Sequence, residues 1–344
     1  MDLTTVDISV KSLSMNHKNA LLFSAAKCGD HNLAHFLLDQ CKVDPNAREI
    51  NFFPPLFEAS QNGHVEIVRL LIRYGADINL ESKTTVEDAN RLLEEQDGFE
   101  EGSNVCMVTP LHNVVIKNQL EVSKILIENG AKVNKELGYG TGFSPLYSAV
   151  RNNALEMAKL LIQNGAEIHS KDRELTLLQI AIQSRNLDMV KLLVANGADI
   201  QSDHLILAAT WVGHYQIVKF LVDSGADICE KTKYGDLPIH RAIKLWSFWS
   251  HRDESMKILQ ILTSPETVNS ISTHVTPLRL AAEKGLLPVV MFLLENGAIP
   301  DENDLKIAKD GQIFELLKNE IEIRKLNHNY SLSSKFTDDP LFIP

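Results

Sequence analysis

One short string recurs along this chain, a Pro-Leu pair at the head of a small-residue segment. It stands at Thr109-Pro110-Leu111-His112, Ser144-Pro145-Leu146-Tyr147, Leu237-Pro238-Ile239-His240 and Thr276-Pro277-Leu278-Arg279, with a weaker copy at Pro54-Pro55-Leu56-Phe57. A second signature built on Gly-Ala follows further along. Examples are Gly75-Ala76-Asp77-Ile78-Asn79, Gly130-Ala131-Lys132-Val133-Asn134, Gly197-Ala198-Asp199-Ile200 and Gly225-Ala226-Asp227-Ile228. Repetition of this kind constrains the fold more than any single residue. Each unit is too small to bury its own apolar face and must stack on its neighbours.

With the first residue of each string as a mark, the units begin at Ala20, Pro54, Thr109, Ser144, Thr176, His204, Leu237, Thr276 and, in degenerate form, Asn303. Most steps lie near about 33 residues. Pro suits a first helical turn, because its φ is preset and its missing N–H would have no partner there. Small residues follow, as in Ala25-Ala26, Ala208-Ala209 and Ala281-Ala282, and let helices approach closely. Gly29, Gly63, Asn118, Asn153, Gly213 and Gly285 then mark helix ends, where a left-handed residue is favoured. Next comes an amphipathic stretch such as Ile67, Val68, Leu70, Leu71 and Ile72, the apolar stripe of a second helix.

The Thr-Pro-Leu-His start, the Gly63-His64 and Gly213-His214 pairs and the Gly-Ala-Asp-Ile-Asn end resemble the ankyrin-repeat family over residues 19–325. That resemblance implies an all-α repeat solenoid. Helix-turn-helix units would stack through β-hairpin-like loops into one curved, elongated domain. It also implies that His112 and His240 hydrogen-bond backbone and tie adjacent hairpins, with structural roles for His64 and His214. The array is expected at 19–325, after an extension at 1–18 and before a flexible tail at 326–344. Residues 303–325 are expected as its terminal cap.

Departures from the period single out three places. Residues 83–106 are an insert rich in acid, and Val86–Gln96 suits a short acidic helix. The unit at His204 lacks the Thr-Pro pair, which predicts a truncated hairpin. Residues 246–255 separate two helices and carry Trp246 and Trp249. The net charge of −11, from 34 basic and 45 acidic residues, argues against nucleic acid, whose phosphates require Lys and Arg. The insert suggests an arm that steers a basic partner. No apolar run is long enough to span a bilayer and no secretory signal is visible. Four cysteines without a paired spacing suggest a reducing compartment. A cytoplasmic monomer is the expectation.

The search for chemistry yields no catalytic, cofactor or metal site. The histidines do not share metal-ligand spacing with carboxylates. Gly138-Tyr139-Gly140-Thr141-Gly142 lacks the Lys-Ser/Thr of a phosphate loop and falls at a hairpin tip. What remains is a surface. The outward position of each first helix holds Lys27, Gln61, Ile116, Arg151, Gln183, Trp211, Lys244 and Glu283, varied in the way an address code would be. Aromatic residues and Arg dominate binding hot spots. The expected contacts on a protein partner are therefore Trp211, Tyr234, Lys244, Trp246, Trp249, Arg151, Tyr139 and Gln183. The function expected is a non-enzymatic scaffold or adaptor acting through the concave face. Other readings are an effector that an intracellular bacterium delivers into host cytosol, with the tail from Tyr330 to Pro344 as its signal, a cryptic enzyme, or a peptide or small-ligand sensor.

Overall fold

A computed structural model describes residues 10–48, 53–85, 105–136, 143–169, 171–172, 175–201, 204–246, 252–272 and 275–337. The chain divides into two compact units, Met1–Ala198 and Asp199–Pro344.

The first unit is built from paired helices: α1 (Met15–Cys28) with α2 (His31–Asp39), α3 (Pro55–Gln61) with α4 (Val65–Arg73), α5 (Pro110–Ile116) with α6 (Leu120–Glu128), α7 (Pro145–Arg151) with α8 (Leu155–Gln163), and α9 (Leu177–Gln183) with α10 (Leu187–Ala195). First helices pack on first helices, and second helices on second helices, from one repeat to the next. Side chains such as Leu71, Leu126, Leu161 and Leu193 fill the resulting core, and Ala59, Ala149 and Ala181 are fully buried where first helices meet. The second unit repeats the scheme with α11 (Leu205–Val212) and α12 (Tyr215–Asp223), α13 (Pro238–Leu245) and α14 (Arg252–Leu262), α15 (Pro277–Glu283) and α16 (Leu287–Glu295), and a final pair, α17 (Glu302–Ile307) and α18 (Gly311–Thr337). The all-α repeat architecture that the resemblance implies is the one found.

Local chemistry starts and stops the helices. The hydroxyls of Thr109, Ser144, Thr176 and Thr276 accept from the backbone N–H of the third helical residue. Such a cap is worth about 1 kcal/mol. First helices end on a left-handed residue at Gly29, Gly63, Asn118, Asn153, Gly213 and Gly285. Arg185 fills the same slot with φ 56°, a position that sequence reading did not mark.

A second device joins successive units. Asn79 Nδ2 donates to the Gly130 carbonyl at 3.1 Å while its Oδ1 accepts from Lys132 N at 2.8 Å. Asn46 makes the same pair of bonds to Gly75 and Asp77, Asn134 to Gly165 and Glu167, and Asn269 to Gly297 and Ile299. Asn79 and Asn134, which end a Gly-Ala signature, and Asn46 and Asn269, which do not, are thus two-point clamps on the next repeat.

Five places differ from the sequence reading or refine it. Helix α1 begins at Met15, because no Pro stops it further on and Ser14 caps it through His17 N. The insert is carried on a ribbon. Strands β1 (Ser82–Thr85) and β2 (Val105–Val108) pair antiparallel, Ser82 opposite Val108 and Thr85 opposite Val105. The helix expected at Val86–Gln96 lies outside the described residues. Strands β3 (Lys171–Asp172) and β4 (Leu175–Thr176) form a smaller ribbon of the same kind. Helix α14 already starts at Arg252, so Ser255 is inside it and the break after α13 is shorter than 246–255. Finally, α18 runs on to Thr337, past the expected end of the cap at Lys325, since no Gly or Pro interrupts the chain there. Residues 338–344 lie outside the described set.

Candidate functional site

The histidines of the repeat strings act as structural ties. In His112, Nδ1 faces the Thr109 hydroxyl at 2.8 Å and Nε2 faces the Lys135 carbonyl at 2.7 Å. A carbonyl can only accept, so Nε2 carries the proton and Nδ1 takes the Thr109 hydroxyl hydrogen. Burial depresses the imidazole to a pKa of about 4, which keeps it neutral. In His240, Nδ1 accepts from Leu237 N at 3.4 Å and Nε2 donates to the Val275 carbonyl at 3.2 Å. Burial again lowers its pKa. These rings hold loops, and neither is free for acid–base work. Among the described residues no cluster of His, Cys, Asp or Glu is arranged to hold a metal ion.

Among the described residues the most exposed aromatics lie on the second unit. Trp211, the outward residue at the end of α11, is 56% exposed, and Tyr234, on the loop before α13, is 66% exposed. The guanidinium of Arg241, on the neighbouring first helix, sits 4.5 Å from the Trp211 ring centroid. The Lys233 ammonium lies 5.1 Å from the Tyr234 centroid. Cation–ring contacts of this kind contribute about 0.5–1 kcal/mol at exposed sites.

The loop that presents Tyr234 is held by its own polar bonds. Thr232 N donates to the Asp236 carbonyl at 2.9 Å, Gly235 N to the Thr232 carbonyl at 2.8 Å, and Asp236 N to the Thr232 hydroxyl at 3.1 Å. Gly235 takes φ 81°, which a side chain would oppose. The Asp236 carboxylate, 5% exposed, accepts from Lys244 Nζ at 2.5 Å and from the Ser272 hydroxyl. Burial pushes Asp236 up, but the hydrogen bonds from Lys244 and Ser272 outweigh it and leave the carboxyl below its usual range. Lys244, expected as a contact, ties the loop to α13 through this bond while its side chain stays partly exposed.

Other expected contacts fall elsewhere. Trp246 is 7% exposed and closes the end of α13, so its ring is core. The expectation that Trp246 meets a partner is corrected: a large indole beside a helix break gains more from burial than from water. Trp249 and Tyr139 lie outside the described residues. Arg151 and Gln183 belong to the first unit. There Arg151 Nη1 donates to Tyr147 Oη at 3.3 Å, and Gln183 is exposed at the end of α9. Sequence reasoning missed Arg241 and Lys233. The signal for Arg241 was available, because it lies one turn before the outward slot and only a long cation there reaches the ring on the previous repeat.

Comparison with known proteins agrees with this geometry. A family model described as ankyrin repeats (3 copies) matches residues 3–82, 81–172, 169–232 and 205–304. The solved human ASB11 ankyrin repeat domain is similar with a TM-score of 0.53 at 25% identity, covering 71% of this chain and 99% of that one. Two curated proteins share shorter stretches. Alpha-latrocrustotoxin-Lt1a of Latrodectus tredecimguttatus is 41% identical over 58 residues, 17% of this chain and 4% of the toxin. The 26S proteasome non-ATPase regulatory subunit 10 of Dictyostelium discoideum is 37% identical over 62 residues, 18% of this chain and 26% of the subunit. The chain thus spans only a small part of the curated relatives it matches. The stacked helix pairs, the asparagine clamps and a family model that matches most of the residues place this chain in the ankyrin-repeat family.

Proposed function

We propose that this chain is a non-enzymatic scaffold that grips a protein partner through the second-unit surface around Trp211 and Tyr234. Ankyrin repeats are in general protein-interaction modules. The observation that carries the assignment is the exposure of two large rings on a framework already held rigid. Exposed aromatics of this size favour burial, and a preorganised loop loses little entropy when it is covered. His112, His240 and Asp236, which would be raw material for chemistry, are engaged in structural bonds.

The test is affinity capture with the full chain beside a Trp211→Ala, Tyr234→Ala double variant, each checked by thermal melting. The expected result is an unchanged melting temperature with loss of the captured partner. Truncating hot-spot rings costs roughly 2 kcal/mol or more of binding. Equal capture by both proteins would move the contact surface elsewhere.

A further inference from the structure

We propose that the Trp211–Tyr234 surface recognises an acidic peptide segment, with carboxylates set around an apolar anchor. The inference rests on the preceding reading and adds the chemistry of the partner. It starts from an imbalance of charge within an acidic protein. The chain carries −11 overall, yet Arg241 and Lys233 lie over the two rings and Lys231 is exposed just before the Tyr234 loop, and none takes part in the ion pairs found among the described residues. Two of the nearby acids, Glu230 and Asp236, are held by other side chains, while Asp227 and Glu266 stay exposed beside Cys229. Glu230 pairs with His204 Nδ1 at 2.6 Å, Asp227 accepts from Cys229 N at 2.7 Å, and Asp236 is held by Lys244 and Ser272. Glu283, one repeat further on, is exposed on α15.

Two of the free cations are positioned before anything binds. Arg241 is laid over one side of the Trp211 ring and Lys233 over Tyr234. A guanidinium stacked on an indole keeps its N–H fork at the ring edge, where a carboxylate can meet it in bidentate fashion. The rest of the Trp211 ring stays open for an aliphatic or aromatic side chain. Alternating rings and cations could also suit single-stranded nucleic acid. That alternative needs a row of cations to match a charge at every nucleotide. Three cations on a chain of net charge −11 match a short acidic peptide better.

The test selects a random linear peptide library against the full chain. The selected peptides are then titrated into wild type, Trp211→Ala and a Lys233→Glu, Arg241→Glu variant, and a single-stranded oligouridine is titrated in parallel. Selected peptides should be enriched in Asp and Glu beside an apolar residue. Their affinity should fall about tenfold or more on charge reversal, which is 1.4 kcal/mol or more, and should weaken with salt. Peptides without acidic excess, or binding equal in the charge-reversed protein, overturn the inference. So does oligouridine that binds more tightly than the peptides and is lost in the same variants. Loss in Trp211→Ala with no change on charge reversal rejects the acidic partner and leaves the surface standing. No change in either rejects both. Lys233→Glu alone, in an exposed loop, keeps the test decisive if the double reversal does not fold.

Discussion

The His64 ring lies directly against the Cα of Gly29, with Nε2 3.0 Å from the Lys27 carbonyl of the preceding repeat. A Cβ on Gly29 would sit 2.8 Å from His64 Cε1, and Gly29 holds φ 84°. Two demands therefore meet at one glycine: a left-handed turn that ends α1, and room for the imidazole that ties the second repeat to the first. Gly29→Ala should lose about 1–2 kcal/mol from the backbone alone, plus the displaced histidine. Gly75, at φ 90°, has nothing within 4 Å of its would-be Cβ, so Gly75→Ala should lose the backbone share only. Hydrogen exchange across α1 to α4 checks the order. Equal losses would show that His64 yields without cost.

Stability should fall in acid because of His112. Its unfolded imidazole titrates near 6.5 and its folded one near 4, since burial opposes the charge. Between these values the unfolded chain binds a proton that the folded chain excludes. The stabilisation is present above pH 6.5 and is lost as the pH drops toward 4. It amounts to up to about 3 kcal/mol. His240 acts in the same direction. His112→Gln should be less stable at neutral pH, and its deficit against wild type should shrink as the pH falls. Denaturant titrations at stepped pH measure this.

The asparagine clamps should have a uniform cost. Asn79→Ala removes the bonds to Gly130 and Lys132 at once. Their exposed partners turn to water, so the loss should be about 1–2 kcal/mol. Asn269→Ala should behave alike on the second unit. Cys229 occupies the same place after Gly225-Ala226-Asp227-Ile228, and its thiol faces Glu266 at 3.5 Å instead. Cys229→Ala should therefore cost less than either asparagine change in the same denaturant series.

The terminal pair is sealed by an ion network where the repeat string would place histidine. Arg279 Nε donates to Asp304 at 2.8 Å and Nη2 to Asp301 at 2.7 Å. Asp304 is 1% exposed, and burial leaves its pKa raised despite the bonds from Asp301 N and Arg279. Arg279→Leu strands that carboxyl and should cost about 3 kcal/mol or more. The Arg279→Leu, Asp304→Leu pair should recover much of it, because neither charge then needs a partner. Amide exchange in α17 and early α18 reports both.

Much of the fold could be read before any coordinates, and its elements show why. The Pro, Ala and Gly positions act within one or two turns of chain, where local sterics decide, so their pattern alone predicts paired helices. The clamping role of Asn79 was not legible, because its partners stand a whole repeat away. The candidate surface was half legible. Trp211 and Tyr234 could be placed by register. The place of Arg241 over the Trp211 ring, the bond of Lys244 to Asp236 and the burial of Trp246 were not, since each depends on what a neighbouring element offers within a few ångströms.

The sequence by itself determined the repeat and the helix boundaries at Pro and Gly, because these follow from short-range geometry repeated many times. Only the tertiary structure decided which polar groups are already spent. Asp236 is engaged by Lys244 and Ser272, and Glu230 by His204, while Arg241 and Lys233 lie over aromatic rings with no carboxylate of their own. That division is set by distances between residues on different elements, which the order of residues along the chain does not reveal.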